Sequence, residues 1–414
     1  MKLPVHPLLG LAMNAPDMRS LNGIQLLNLI REHGPVSRAG LAKISGLSKP
    51  AVSEQVSRLV AFGAVLETGI GEVSEAGGKR PTLLAFHADA GRVAGIGIGA
   101  TVTRIAIADL EGKILQSVEI PTAPEQPARK VIGRIERTLA TLVSRSGRKL
   151  HAIGIGVPGR VDCNTGAVLE SGSVFGWHDI DLRTPFQQRF GCTVSVDNDV
   201  NVGLMAELHR GAAQHATTAV LIRADTGIGS AVAIDRRIHH GSNWAAGEIG
   251  HLAANSSAPG RVSARGYLES VLGADQVARR VRSAAKRSPL LRGLLAEMSE
   301  LPAVMAAAAR KDVAARKLTA ELSALAAIAV ANQALAYDPD VVLLSGELFA
   351  VFIADIRKFL TRTVPWSPNV QSACFGEEGV QAGAVDVALV SAYDQMSRQL
   401  STDPLQAQQA AAGA

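Results

Sequence analysis

Cysteine is scarce in this chain of 414 residues: Cys163, Cys192 and Cys374 lie far apart and form no CxxC spacing. That excludes a disulfide framework and any zinc cluster built from the cysteines themselves, and makes a reducing cytoplasm the expected compartment. Charge of one sign is also lacking. The formal net charge of +5 with 19% charged residues permits a polyanionic partner without demanding one, so any nucleic-acid surface must be local. Long apolar runs are missing too. The longest apolar helical stretch, Leu318 to Tyr337, is interrupted by Glu321, Asn332 and Gln333 and reads as a buried core helix, so no membrane partner is expected. Near the N-terminus Pro4 and Pro7 break what apolar content there is, and no secretion signal is expected. What remains is 47% hydrophobic with only 4% aromatic, the balance of an Ala/Gly/Val-rich globular protein of two or three domains.

A first module is placed at 17–88. Leu21, Ile24, Leu27 and Ile30 line one face of a helix that His33-Gly34-Pro35 ends. Ser37 is placed to cap a second short helix buried through Leu41, Ala42 and Ile44; Gly46 turns the chain, and Ser48 caps a third helix at Lys49-Pro50. In that third helix Val52, Val56, Leu59 and Val60 form one apolar stripe. The opposite face carries Ala51, Glu54, Ser57 and Arg58, small and polar groups suited to a major groove. Glu54 can accept from a cytosine amino group, Gln55 can pair with adenine at the flank, and Lys49 or Arg58 can reach phosphate or guanine. Thr68 to Leu84 then reads as two short strands around Gly77-Gly78-Lys79-Arg80-Pro81, a wing with the cations Lys79 and Arg80 at its tip. Any three-helix bundle has such faces, and the net +3 between Arg31 and Phe62 is modest. The ordered run SRAGLAKISGLSKPAVSEQVSRLVAFG is more specific, and it resembles the winged helix-turn-helix of bacterial repressors.

After Gly91 the texture becomes α/β: VAGIGIGA, TRIAIADL, HAIGIGVPG, CTVSVD and TTAVLIRA are strand-like, with helical segments such as Lys130–Ser144 and Val200–Arg210 between them. Two glycine-rich strand-turn units, VAGIGIGATVTRIAIADLEG and VLIRADTGIGSAVAIDRRIHHG, look like corresponding hairpins of two related lobes with a ligand cleft between them. The lobes are placed at 91–207, completed by a C-terminal helix at about 383–400, and at 208–382, with a flexible tail at 401–414.

GVPGRVD at 156–162, VDNDVNVGLMAE at 196–207, GEIGH at 247–251 and YDPDVVLLSGE at 337–347 resemble the ROK family, which groups sugar-responsive repressors with sugar kinases. The resemblance implies an α/β fold with an N-terminal winged helix-turn-helix and a two-lobed actin/hexokinase-like (ribonuclease H-like) domain. It also implies a sugar pocket made by Asn198, Asp199, Glu248, His251 and Glu269. In family kinases the residue matching Asp199 takes the proton of the attacked hydroxyl, and those matching Glu248 and His251 hold the sugar ring. Singly, Asp199 reads as a helix cap, Glu269 as part of a solvated face and His251 as a core histidine.

Departures from the family pattern point away from phosphoryl transfer. The first phosphate hairpin lacks its Asp, reading Gly97-Ile98-Gly99-Ala100-Thr101. The second opens on Asp225-Thr226-Gly227, setting a carboxylate where phosphate oxygens would lie, and the adenosine segment reads Ser345-Gly346-Glu347. The family's zinc cysteines are replaced by Gly260, Val262 and Tyr267, and one His cannot hold the metal. The expectation is therefore a repressor with no cofactor and no metal, without kinase activity, whose Asp199 is a vestigial base. Its partners would be operator DNA and a sugar or sugar derivative, and it would act as a homodimer or homotetramer. The alternatives are a sugar kinase with a regulatory head, or a head joined to a domain that only oligomerises.

Overall fold

The computed structural model describes residues 15–71, 80–123, 125–171, 177–252 and 266–401. The head comprises α1 (Ala15–His33), β1 (Val36–Ser37), α2 (Arg38–Ser45), α3 (Lys49–Ala61), β2 (Val65–Ile70) and β3 (Thr82–Phe86), its strands pairing in the order β1-β3-β2. The expected caps form. Ser37 accepts from the Gly40 N–H at 3.1 Å, Gly46 ends α2 with a positive φ of 71°, and Ser48 accepts from the Ala51 N–H at 3.4 Å. Leu27, Ile30, Leu41, Val52, Val56 and Leu59 are buried.

Two expectations fail here. Ile44 is 48% exposed, because the inward stripe of α2 runs through Leu41, Ala42 and Ser45 and leaves Ile44 beside it. Gln55 is 3% exposed and faces the interior: three residues beyond Val52, it falls on the packed side of α3 and is not placed to read adenine.

The first lobe follows, with β4 (Arg92–Ile98), β5 (Val102–Ala108), β6 (Ile114–Pro121), α4 (Ala128–Ser146), β7 (Leu150–Val157), β8 (Arg160–Asp162), β9 (Ala167–Glu170), β10 (His178–Asp181), α5 (Arg183–Phe190), β11 (Thr193–Asn198) and α6 (Asp199–Arg210). Its five-stranded sheet has the order β11-β7-β4-β5-β6, parallel across β4, β7 and β11 and antiparallel across β4, β5 and β6.

The second lobe contains β12 (Ala219–Ala224), β13 (Ile228–Ile234), β14 (Arg237–Ile238), α7 (Glu269–Leu272), α8 (Ala274–Ala285), α9 (Pro289–Leu294), α10 (Glu300–Ala309), α11 (Val313–Tyr337), β15 (Val341–Ser345), α12 (Glu347–Thr363) and β16 (Val370–Ser372). Its sheet, β14-β13-β12-β15-β16, repeats the first: a meander of three antiparallel strands with two parallel strands added beside the first of them. The two glycine-rich hairpins are therefore equivalent parts of a duplicated plan. Helix α11 is long and apolar enough to cross a membrane by length and composition alone. Half of that span is buried inside the protein, and Leu318, Leu322 and Val330 join the core of the second lobe.

The chain ends in α13 (Gly379–Ser401), four residues earlier in its start than the sequence suggests. It lies on β4 and β7 of the first sheet and on α6, and glycines make those approaches possible. A Cβ on Gly154 would stand 2.0 Å from the Ala384 carbonyl, and one on Gly383 1.8 Å from the Val202 carbonyl. Farther along, Val385, Leu389, Tyr393 and Met396 share one apolar core with Leu26 and Ile30 of the head. The Arg31 guanidinium sits 5.1 Å from the Phe86 ring centroid and 4.7 Å from that of Tyr393. The head is thus docked on the body through α13 and does not hang from a linker.

Candidate functional site

Helix α3 presents Ser48, Lys49 and Glu54 to solvent, with Ala51 and Arg58 half-buried. Arg58 lies 3.4 Å from Glu54 one turn earlier, so the two long side chains of the exposed face hold each other in place. Arg80, two residues before β3, is exposed; Lys79 lies outside the described residues. Arg38 at the start of α2 pairs with Glu67 of β2 at 3.0 Å and ties helix to wing.

The second candidate region is the cleft between the sheets. Strand β11 ends at Asn198, whose side chain caps α6: Oδ1 accepts from Val200 N at 2.8 Å and from Asn201 N at 3.3 Å, and Nδ2 donates to the Gly159 carbonyl at 2.8 Å. The cap is therefore Asn198, whose amide is spent on backbone, and Asp199 stands in the first turn with its carboxylate facing Arg223. An Arg223 Nη1 from β12 stands 3.6 Å from Asp199, and the same guanidinium bonds Asp225. Burial, with the Asp225 charge added to it, pushes the Asp199 carboxyl above its ordinary pKa, although Arg223 and the α6 backbone N–H groups pull the other way.

Glu248 and His251 sit at opposite ends of a short 3₁₀ turn, Ile249–His251, where residues three apart eclipse. Solvent reaches both side chains. Even so, the surrounding protein, together with the Glu269 and Asp199 carboxylates, pushes Glu248 above its ordinary pKa against the pull of His251 and Arg160. Glu269, at the start of α7, lies against the backbone of both glycine turns. A Cβ on Gly250 would meet its Oε2 at 3.1 Å and one on Gly227 at 3.2 Å. The fold thus brings Asp199, Glu248, His251 and Glu269 into one neighbourhood from three separate parts of the sequence.

Sequence reasoning does not single out Arg223 or Arg160. The only signal for Arg223 is a lone cation inside the apolar run AVLIRA.

Beside Asp225 lies a cavity of about 390 Å³ lined by Asp225, Glu300, Glu347 and Glu377, together with Ser345 and Gly346. The lining is acidic in residue type, but Asp225, Glu300 and Glu377 are each paired with an arginine, Arg223, Arg282 and Arg104 respectively. Gly97, where the family kinases carry an Asp, is packed under α13. A Cβ there would stand 3.1 Å from Gln381 N and 3.2 Å from a Val380 methyl.

These features can be set beside known proteins. The ROK family profile matches residues 93–389, and a winged helix-turn-helix DNA-binding profile matches residues 19–63. The xylose repressor of Bacillus spizizenii is 32% identical over 244 residues, 58% of this chain and 62% of that protein. The match thus spans less than two thirds of the curated repressor's length. A glucokinase of Halalkalibacterium halodurans is 29% identical over 265 residues, 61% of this chain and 79% of that protein. In structure, a ROK family transcriptional regulator described as a homologue of the Escherichia coli MLC protein superposes with a TM-score of 0.77 at 21% identity, over 92% of this chain and 98% of that one. A Streptomyces griseus ROK glucokinase bound to glucose and AMPPNP gives 0.61 at 25% identity, over 72% and 99%. Repressors and kinases therefore both stand among the similar proteins, and the profile match over most of the chain shows that this protein belongs to the ROK family.

Proposed function

We propose that the chain is a sugar-responsive DNA-binding transcriptional regulator, a repressor of genes for carbohydrate uptake or catabolism, whose cleft binds a sugar without phosphorylating it. The observation that carries this reading is α13. Its first turns lie beside the cleft, where Val380 and Gly379 line the same small pocket as Asp199 and Arg223, and its later turns form a common core with the head. At 1.5 Å per residue, 23 residues span about 34 Å, so a shift of the lobes on closing over a sugar is carried to the recognition helix by a packed rod. In a homodimer or homotetramer two heads must match half-sites about 34–36 Å apart, and a small rotation misaligns one of them. The relatives' names, xylose repressor and N-acetylglucosamine repressor, support a sugar as effector. Against phosphoryl transfer stand Asp225 in the second phosphate loop and the Arg223 guanidinium already engaged by Asp199 and Asp225. The expected compartment is the cytoplasm.

The test combines two measurements on the full chain. Selection from random duplexes is expected to enrich a palindromic site, and D-xylose, D-glucose or N-acetylglucosamine is expected to change affinity for it. Sugar-dependent ADP release from ATP is expected to be absent. Turnover abolished by Asp199→Asn overturns the reading in favour of a kinase. A head with no duplex preference overturns it altogether.

For the head, replacing Lys49 and Arg80 together by alanine is expected to weaken binding to any duplex. Every phosphate that is no longer neutralised makes the negative slope of log affinity against log salt shallower by about 0.9. Fluorescence anisotropy across a salt series reads the slope; an unchanged slope removes both residues from the interface.

A further inference from the structure

We infer that Cys163, Asp197 and His240 form a binding site for one divalent transition metal of the zinc class, placed where the first lobe meets the edge of the second sheet so that the metal ties one lobe to the other. The three cysteines cannot make a cluster among themselves, but one is enough when a carboxylate and an imidazole reach it from elsewhere in the fold. The thiol, carboxylate and ring nitrogen of these three residues all lie within 4.8 Å of one another. Cys163 directly follows β8 and Asp197 belongs to β11, both in the first lobe; His240 follows β14, the edge strand of the second sheet.

The donor set fits. A thiolate, an imidazole and a carboxylate are the three ligand types zinc takes at about 2.0–2.3 Å, leaving one tetrahedral position for water. Asp197 is already aimed. Its Oδ1 accepts from Asn198 N at 2.6 Å and Asn201 Nδ2 at 2.9 Å, which leaves Oδ2 for His240 Nε2 at 2.8 Å. Such outer partners orient a ligating carboxylate in metal sites. The imidazole is steadied by Trp244, whose ring packs edge-on with centroids 5.4 Å apart. Binding requires the His240–Asp197 hydrogen bond to open by about half an ångström, since tetrahedral ligands at these bond lengths stand about 3.3–3.7 Å apart. It also requires Cys163 to release its thiol proton to solvent, and the proton that His240 Nε2 donates to Asp197 to leave that nitrogen, lost to solvent from the imidazolium or exchanged for one on Nδ1, after which sulfur, nitrogen and oxygen lone pairs are all donated to the ion. The residues the family uses for zinc are not involved.

The test uses the full chain stripped with a chelator, with neither DNA nor sugar present, so its outcome is independent of the proposed function. Co²⁺ is expected to bind one equivalent with a thiolate-to-metal charge-transfer band, and Zn²⁺ to displace it and raise the melting temperature. Cys163→Ser is expected to abolish the band, and His240→Ala to weaken binding at least tenfold and remove the thermal shift, while Cys374→Ser keeps both. If Cys163→Ser does not fold, His240→Gln reads the same loss with the fold intact. No band, stoichiometric binding unaffected by His240→Gln, or an adventitious ion only, removed by dialysis, overturns the proposal.

Discussion

Glu207→Ala is expected to lower the free energy of unfolding by about 3–5 kcal/mol, the range for stranding several buried polar groups at once. Glu207 is 1% exposed in the middle of the protein. Its Oε1 accepts from the backbone N–H groups of Cys374 at 2.7 Å and Phe375 at 3.0 Å, and its Oε2 accepts from Ala212 N at 2.8 Å. One side chain of α6 thereby fixes the turn after its own helix and the approach to α13. Alanine leaves three N–H donors facing a void. Glu207→Gln separates charge from geometry: its remaining oxygen can serve Cys374 and Phe375, but its amide nitrogen points a donor at the Ala212 donor. The expected cost is intermediate, about 1–3 kcal/mol. Urea unfolding by tryptophan fluorescence measures both, and an alanine variant as stable as the parent would show that the segment before α13 is held by other contacts.

How far the molecule is legible in its sequence depends on whether the signal is local. The caps Ser37 and Ser48 and the turn at Gly46 are decided by neighbours within four residues, and they form as expected. The duplicated hairpins are readable because glycine and β-branched residues alternate over short windows. Gln55 departs from expectation because a polar residue one step off a helical stripe reads as surface, whereas the packed side of α3 is broad enough to take it in. Arg223 escapes the sequence for a different reason: its role depends on Asp199 and Asp225, and only the packing of α6 against the second sheet brings the first of these near. The contact between head and body is invisible, since Tyr393 and Phe86 lie some three hundred positions from each other and meet only in the folded chain. The same holds for Cys163, Asp197 and His240.

Glu248→Ala is expected to raise the sugar concentration needed for half-saturation about a hundredfold, and Glu248→Gln about tenfold, following the worth of a charged and then a neutral acceptor for sugar hydroxyls. The pH dependence identifies the cause. The surrounding protein, which thins the water around a carboxylate still open to solvent, together with the nearby Glu269 and Asp199, raises the Glu248 pKa in the unliganded protein. A group shifted in this direction favours the fold below its unfolded pKa, and that contribution disappears as pH rises through the folded value. A sugar hydroxyl donating to the carboxylate stabilises the ionised form, so proton and sugar compete. Affinity should therefore fall as the solution is acidified through the raised pKa, at a higher pH than an ordinary glutamate of about 4.3 would give. In Glu248→Gln the profile should lose that step, and above it the unliganded variant should be at least as stable as the parent, because a repelled charge has gone. Calorimetric titration of the responding monosaccharide across pH, paired with melting curves without sugar, checks both. A fall in affinity together with a fall in stability would make Glu248 a structural residue and move the sugar contact to His251 and Glu269.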